Sequence, residues 1–223
     1  MAAAGELLMR PTSILFAAAL TAFGAETVTT PIDNDQVKVL NVMQQPHEAT
    51  KRHRHTVNRV MIYLQPGTQS FDHDGKKSVL KWKAGDVKWS PADGMHVAEI
   101  TSDNPVNIIE IELKKPGGHD SGAGALDPVK LAPKMYKVEF ENDQVRVLRV
   151  KVGAHQATPL HEHTRGLVVV FLTDQQNRIT TADGQARTST RKAGDVAWAG
   201  NTKHREENIG DKPFEVLAVE IKN

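Results

Sequence analysis

The chain contains the same stretch of sequence twice. Asn34-Asp35-Gln36-Val37-Lys38-Val39-Leu40 returns 108 residues later as Asn142-Asp143-Gln144-Val145-Arg146-Val147-Leu148. Lys83-Ala84-Gly85-Asp86-Val87-Lys88-Trp89 returns as Lys192-Ala193-Gly194-Asp195-Val196-Ala197-Trp198, here at an offset of 109. By His96 and His204 the offset is again 108, and Pro105 then matches Pro213. One residue gained and one lost between fixed anchors is loop variation over a constant set of elements. The repeat is an internal duplication of one domain, so whatever fold is assigned to one half must serve the other.

The 223 residues therefore divide into two domains of roughly 90 residues each, near the small end of the usual range. The first spans residues 26–114 and the second 134–223. Between them, 115–133 reads as a linker, with Pro116-Gly117-Gly118 and Ser121-Gly122-Ala123-Gly124. Small β domains tend to bury an open face against a partner, and the second copy can be that partner. A formal net charge of +1 gives no bulk attraction to nucleic acid or to an anionic membrane. Lys51, Arg52 and Arg54 form a local basic cluster, either a solvated strand end or a reception point for an anion. With no cysteine, disulfides, iron–sulfur clusters and thiol catalysis are excluded, and His, Asp and Glu remain as the strong metal ligands.

Residues 1–25 read as a signal peptide. Arg10 precedes an apolar run from Ile14 to Phe23, and the small residues Ala22, Gly24 and Ala25 close it. The run is too short for a typical spanning helix. The expectation is a periplasmic or secreted protein with no membrane attachment after cleavage; the alternative is a disordered or helical tail.

Strand signals dominate the rest. Val37–Val42, Val60–Leu64, Val79–Trp82, Val87–Trp89, Val106–Leu113, Val145–Val152, Leu167–Leu172 and Glu215–Ile221 are short and β-branched, and several alternate in polarity. Gln65-Pro66-Gly67, Asp74-Gly75, Ala84-Gly85-Asp86, Asp183-Gly184 and Ala193-Gly194-Asp195 punctuate them as turns. Short strands at regular spacing with glycine turns make an all-β sandwich or barrel in each copy. Trp89 and Trp198 read as packing residues, as do Tyr63 and Phe171.

Eight of the ten histidines fall into matched pairs: His47 with His155, His53 with His161, His55 with His163, and His96 with His204. His73 and His119 stand outside the pattern. Along a strand alternate side chains share a face, so His53 and His55 point one way and Arg54 the other, and His161 and His163 do the same around Glu162. Two neighbouring imidazoles in a barrel interior still need partners for their nitrogens. A divalent transition metal would supply one, with a third ligand from another strand. His96 lies 41 residues beyond His55, and His204 lies 41 beyond His163. The metal set is thus His161, His163 and His204 in the second copy and His53, His55 and His96 in the first. Imidazole ligands suit iron, zinc, manganese, nickel or copper and do not choose between them. The unmetallated alternative is a pair of vestigial polar clusters. His47 and His155 are either pocket-mouth residues or ordinary loop histidines.

These motifs resemble the cupin superfamily, and the double copy resembles a bicupin. Thr158-Pro159-Leu160-His161-Glu162-His163 is similar to the start of the first cupin motif. Gly85-Asp86, Pro91, Gly94 and His96 match the second motif in one copy, and Gly194-Asp195, His204 and Asn208 match it in the other. The resemblance covers the chain from about residue 30 onward and implies two tandem jelly-roll β-barrels of six or more strands each. It also implies an acidic metal ligand four residues after the second histidine. Here the chain departs: Arg59 stands at that place in the first copy and Leu167 in the second. Glu99 and Glu207, three residues past the last histidine, aim away from it on a regular strand. Each site is expected to hold three neutral imidazoles at most.

An ion held by neutral imidazoles keeps its full charge and open positions, which favours anionic, chelating ligands. Arg59 would oppose it: at about 5 Å and an effective dielectric near 20 the repulsion is several kcal/mol. Arg59 would otherwise contact an anionic substrate. The second copy, with Leu167, is expected to be neutral, dry and the working site. The function expected is that of a metal-dependent, dioxygenase-like enzyme acting on a small anionic or dicarbonyl compound. The alternative is a non-catalytic bicupin that binds a small ligand or a metal. Exposed barrel edges leave room for a homodimer, and nothing in charge or aromatic placement fits a nucleic-acid module.

Overall fold

The computed structural model describes residues 21–23, 26–118 and 124–222. The expected signal peptide falls outside these residues, apart from Thr21–Phe23. In the first half lie β1 (Thr21–Phe23), β2 (Glu26–Asp33), β3 (Val37–Gln44), β4 (His53–His55), β5 (Arg59–Tyr63), β6 (Gly67–His73), β7 (Lys76–Trp82), β8 (Val87–Ser90), β9 (Asp93–Ile100) and β10 (Val106–Leu113). After one short helix, α1 (Pro128–Leu131), come β11 (Tyr136–Glu141), β12 (Val145–Val152), β13 (His161–His163), β14 (Leu167–Phe171), β15 (Gln175–Thr181), β16 (Ala186–Arg191), β17 (Val196–Ala199), β18 (Thr202–Asn208) and β19 (Phe214–Ile221).

Each half is a barrel of two antiparallel sheets. In the first, β1-β2-β3-β10-β5-β8 faces β4-β9-β6-β7; in the second, β11-β12-β19-β14-β17 faces β13-β18-β15-β16. Apart from β1, the two orders are the same. The duplication read from sequence is a duplication of topology, and the architecture is the expected pair of jelly-roll barrels.

The long strands are apolar on both faces because they carry two cores. Along β5, Val60 and Ile62 join Ile109, Ile111 and Leu113 of β10 in one cluster with Val145, Val147, Val168, Val170, Leu217, Val219 and Ile221 of the second half. The large sheets therefore pack back to back, and each copy is the partner that covers the other. The alternate residues turn inward: Tyr63, Trp82, Ile100, Val106 and Ile108 fill one barrel, and Tyr136, Leu148, Val150, Phe171, Phe214 and Val216 the other. At about 1.5–3 kcal/mol per buried aliphatic side chain, the shared core outweighs any polar contact across the same boundary. Trp89 and Trp198 pack against this shared core.

Polar contacts fix the register of the two halves. Asn58 donates to the Gln144 amide oxygen at 2.5 Å, and Arg149 donates to the Gly85 carbonyl at 2.7 Å. That carbonyl belongs to the Ala84-Gly85-Asp86 turn, where Gly85 has φ +80°, a conformation that needs glycine. Beyond residues 119–123, α1 docks on the second barrel: Asp127 caps it by accepting from the Lys130 amide at 3.1 Å, and Arg146 holds the same carboxylate at 2.5 Å. Among the described residues, no helix is long and apolar enough to cross a membrane.

Candidate metal centres

In the second barrel β13 projects His161 and His163 from one face. Antiparallel β18 then sets His204 directly opposite His161. The ring centroids are 5.1 Å apart for His161–His163, 4.5 Å for His161–His204 and 5.8 Å for His163–His204. One nitrogen from each ring lies within 4.8 Å of the other two, so the triad could hold an ion.

The outer nitrogens are tied. His161 Nδ1 lies 2.9 Å from the Pro159 carbonyl, His163 Nδ1 2.7 Å from the Glu220 carboxylate, and His204 Nδ1 3.3 Å from the Thr202 hydroxyl. For His161 and His163 these acceptors require the proton on Nδ1, which leaves the Nε2 lone pair for a ligand; such bonds set tautomer and ring orientation in metal sites. The Tyr136 hydroxyl donates to His161 Nε2 at 3.2 Å. Burial pushes His161 down to about 4 and His204 down to about 3, so both stay in the neutral form that ligation needs.

Two acidic residues enter this barrel that the sequence reading left out. Glu220 lies on β19 opposite Leu167, and its side chain is almost fully enclosed. Besides accepting from His163, it faces Arg146 and Arg165, each at 3.5 Å. A fixed chain therefore runs from His163 through Glu220 and Arg146 to Asp127 at the helix cap. Glu206 sits two residues after His204 and so shares its inward face; Asn177 donates to it, and burial raises its pKa. The second site is thus more polar than Leu167 alone implies. Glu206 is not one of the three converging ligands, yet it lines the same cavity. Glu207, as expected, turns outward to Arg178 at 3.2 Å.

The first barrel repeats the triad with a cation inside it. His53 faces His96 across β4–β9, with a register shift before His55 that β13–β18 lacks. His53 Nε2 and His55 Nε2 are 3.1 Å apart, and the centroids of His53, His55 and His96 lie 4.5–5.3 Å from one another. Two nitrogens on one ion at about 2.1 Å each stand about 3.0–3.4 Å apart, so this spacing suits an ion. Arg59 Nη1, however, donates to His55 Nε2 at 2.9 Å and to Glu110 at 2.9 Å, while Nη2 donates to Ser90 at 3.0 Å. Its Nε is buried without a partner. Burial, and then Arg59, push His55 down to about 3. The guanidinium holds the lone pair that an ion would use. His73, Asp93 and His96 form a third group that could hold an ion near the barrel mouth, with His73 Nε2 at 2.6 Å from Asp93.

His47 and His155 take the bland alternative. Both are exposed, both have left-handed backbone (φ 59° and 57°), and they pair with Asp103 and Asp211 at 3.3 and 3.1 Å. His119 lies outside the described residues.

In sequence, no protein-family model and no curated protein matches the chain. Solved structures do match in fold. AerE from Microcystis aeruginosa superposes with a TM-score of 0.69 at 9% identity, over 92% of this chain and 97% of its own. Oxalate decarboxylase from Bacillus subtilis, a bicupin studied for its Mn(II) centres, superposes with a TM-score of 0.64 at 15% identity, over 92% of this chain and 75% of its own. At these identities the likeness concerns fold. The chain has the fold of a bicupin: two cupin barrels in tandem, each with a histidine triad that could hold a metal ion.

Proposed function

We propose that the protein is a metal-dependent bicupin that acts on a small anionic or dicarbonyl compound through His161, His163 and His204. The observation that carries this reading is the contrast between the triads. In the second barrel the three rings converge with no cation among them and only the neutral Tyr136 hydroxyl on His161 Nε2, whereas in the first the Arg59 guanidinium occupies His55 Nε2. The donor set fits a divalent transition metal: three imidazoles, two of them oriented by acceptors on Nδ1. When bound, the ion would supply a Lewis-acid centre with open positions and, if redox-active, one-electron chemistry with dioxygen. The chain's own residues do the rest. Glu220 fixes the His163 ring, Leu167, Phe171 and Val169 keep the cavity apolar beside the triad, and Glu206 places a carboxyl on the cavity wall. The cavity measures about 180 Å³, room for a metabolite.

An extracytoplasmic location goes with this reading and rests on the N-terminal pattern alone. The test is oxygen uptake by protein reconstituted with Fe(II) or Mn(II), screened with small keto acids, dicarboxylates and diketones. Turnover that disappears in His163→Ala and persists in His55→Ala supports the proposal. Metal retention without turnover on any of these would favour the non-catalytic alternative.

A further inference from the structure

The wall of the second barrel carries polar side chains that the histidine triad does not use. Pairing of β16, β15 and β18 sets inward residues in rows. Thr181 stands beside His204, Arg187 beside Ile179 and Glu206, Ser189 beside Asn177, and Arg191 beside Gln175. Successive rows lie about 6.5–7 Å apart along the strands, so Gln175 and Arg191 sit at the end of the barrel away from the histidines. Gln175 is 6% exposed, and neither Nε2 nor Oε1 has a partner. Asn177, 2% exposed, gives its amide to Glu206 and leaves Oδ1 without one. Buried amides are normally satisfied, and each unmade bond costs about 1–3 kcal/mol. Of these three atoms against one cavity, Gln175 Nε2 is the donor, with two N–H groups for an acceptor on a ligand. The Arg191 guanidinium lies over the Phe171 ring, 5.4 Å from its centroid. Arg187 stands two rows nearer the histidines, which leaves Arg191 as the cation of the Gln175 row.

The other copy shows that this polarity is not required by the fold. The same cross-strand place in the first barrel holds Gly67 opposite Trp82. Trp82 stacks on Tyr63 at 4.4 Å, and a Cβ on Gly67 would lie 2.6 Å from its ring. Ser78 and Ala98 stand where the second barrel has Arg187 and Glu206. One floor is packed shut with aromatic carbon; the other is lined with amides and a guanidinium.

We infer that Gln175 and Arg191 form a carboxylate-binding subsite, so that the ligand is an organic acid with a second carboxylate at the end remote from the histidines. The inference rests on reading the triad as the site that binds the ligand's other end. A guanidinium and an amide N–H both donate to a carboxylate, and Arg does so with planar, two-point geometry. The cavity of about 180 Å³ is smaller than the roughly 300–1,000 Å³ typical of larger ligands. Three row spacings, about 20 Å between Cα positions, separate the His204 row from the Gln175 row, and the histidine ring, an ion and the Arg191 side chain take up part of it, so an extended chain of about eight to ten carbons reaches both ends.

The experiment is calorimetric titration of zinc-loaded protein, in which no redox turnover competes. The probes are the saturated dicarboxylates from malonate to sebacate, each against the monocarboxylate of equal length. At least one dicarboxylate should bind tenfold or more tightly than its monocarboxylate partner. Gln175→Gly with Arg191→Trp installs the floor of the first barrel and should erase that preference while zinc content stays unchanged. Should this pair disturb folding, Arg191→Gln, which keeps hydrogen bonding and loses the charge, must lower the preference at least fivefold. Equal binding of both acids, or a preference that survives the substitutions, overturns the subsite. Repeating the titration without zinc separates the two readings. A preference that depends on Arg191 in protein unable to load zinc upholds the subsite while the metal reading falls; zinc loading without any preference does the reverse.

Discussion

Arg59 and Leu167 hold the same place in the two barrels, opposite Glu112 and Glu220. The difference between them decides what each triad can do. Arg59 is tied into a buried pair with Glu110, side chains 7% and 11% exposed, so removing it alone strands a carboxylate whose pKa burial already raises. That should cost about 3–5 kcal/mol. Arg59→Leu combined with Glu110→Ala copies the second barrel, which has Leu167 and Ala218 at these positions, and should let the first triad take up metal. Metal content read by mass spectrometry should rise by about one ion per chain; no rise would mean that the register shift at His53–His55, not Arg59, closes the site. In the second barrel the buried carboxylate that touches the triad is Glu220, the counterpart of Glu112. Glu220→Gln keeps the shape and weakens the hold on His163 Nδ1, and metal affinity in a chelator competition should fall roughly 10–100-fold; melting temperature should fall as well, because the buried Arg146 and Arg165 lose a counter-ion. Unchanged affinity would reduce Glu220 to a counter-ion for Arg146 and Arg165.

The β13–β18 pair shows how one ladder contact acquires chemistry. Placing His161 opposite His204 buries two imidazoles that must stay neutral, with values pushed down to about 4 and about 3. A group depressed on folding contributes stability above its unfolded value, near 6.5, and loses it as pH falls toward the folded value. Chelator-treated protein should therefore lose melting temperature between pH 7 and pH 5. Burial of Glu110 and Glu206 acts with the opposite sign, so the readout is the difference from His204→Gln, whose profile should be flatter over that interval. A steeper variant would contradict the assignment.

These strands also mark how far the sequence could be read. The β-branched runs at β3, β5, β10, β12, β14 and β19 were plain because hydrophobic burial writes itself into composition. Gln175-Gln176-Asn177-Arg178-Ile179-Thr180-Thr181 was not, since a strand that lines a polar cavity looks like loop. The convergence of the six histidines was legible from spacing. Glu206 was within reach, because a residue two beyond His204 shares its face. Glu220 was not: its strand alternates in a way that suits an apolar barrel face and a solvated outer one, whereas Leu217, Val219 and Ile221 face the other domain and Glu220 turns inward.

At the scale of the whole molecule the duplication serves two ends. The back-to-back sheets give each small domain a core it could not close alone, and the shared cluster runs through both halves without a break. With that framework common to both, the interiors diverged. One barrel holds Arg59 among its histidines and Trp82 at its floor, and the other keeps an open triad above a polar floor. The most direct test of this division is the metal content of the purified chain, stripped and then refilled under anaerobic conditions. One ion per chain, lost in His163→Ala and kept in His55→Ala, is the result this structure predicts. Two ions per chain lost equally in both variants, or no ion that can be restored, would contradict it.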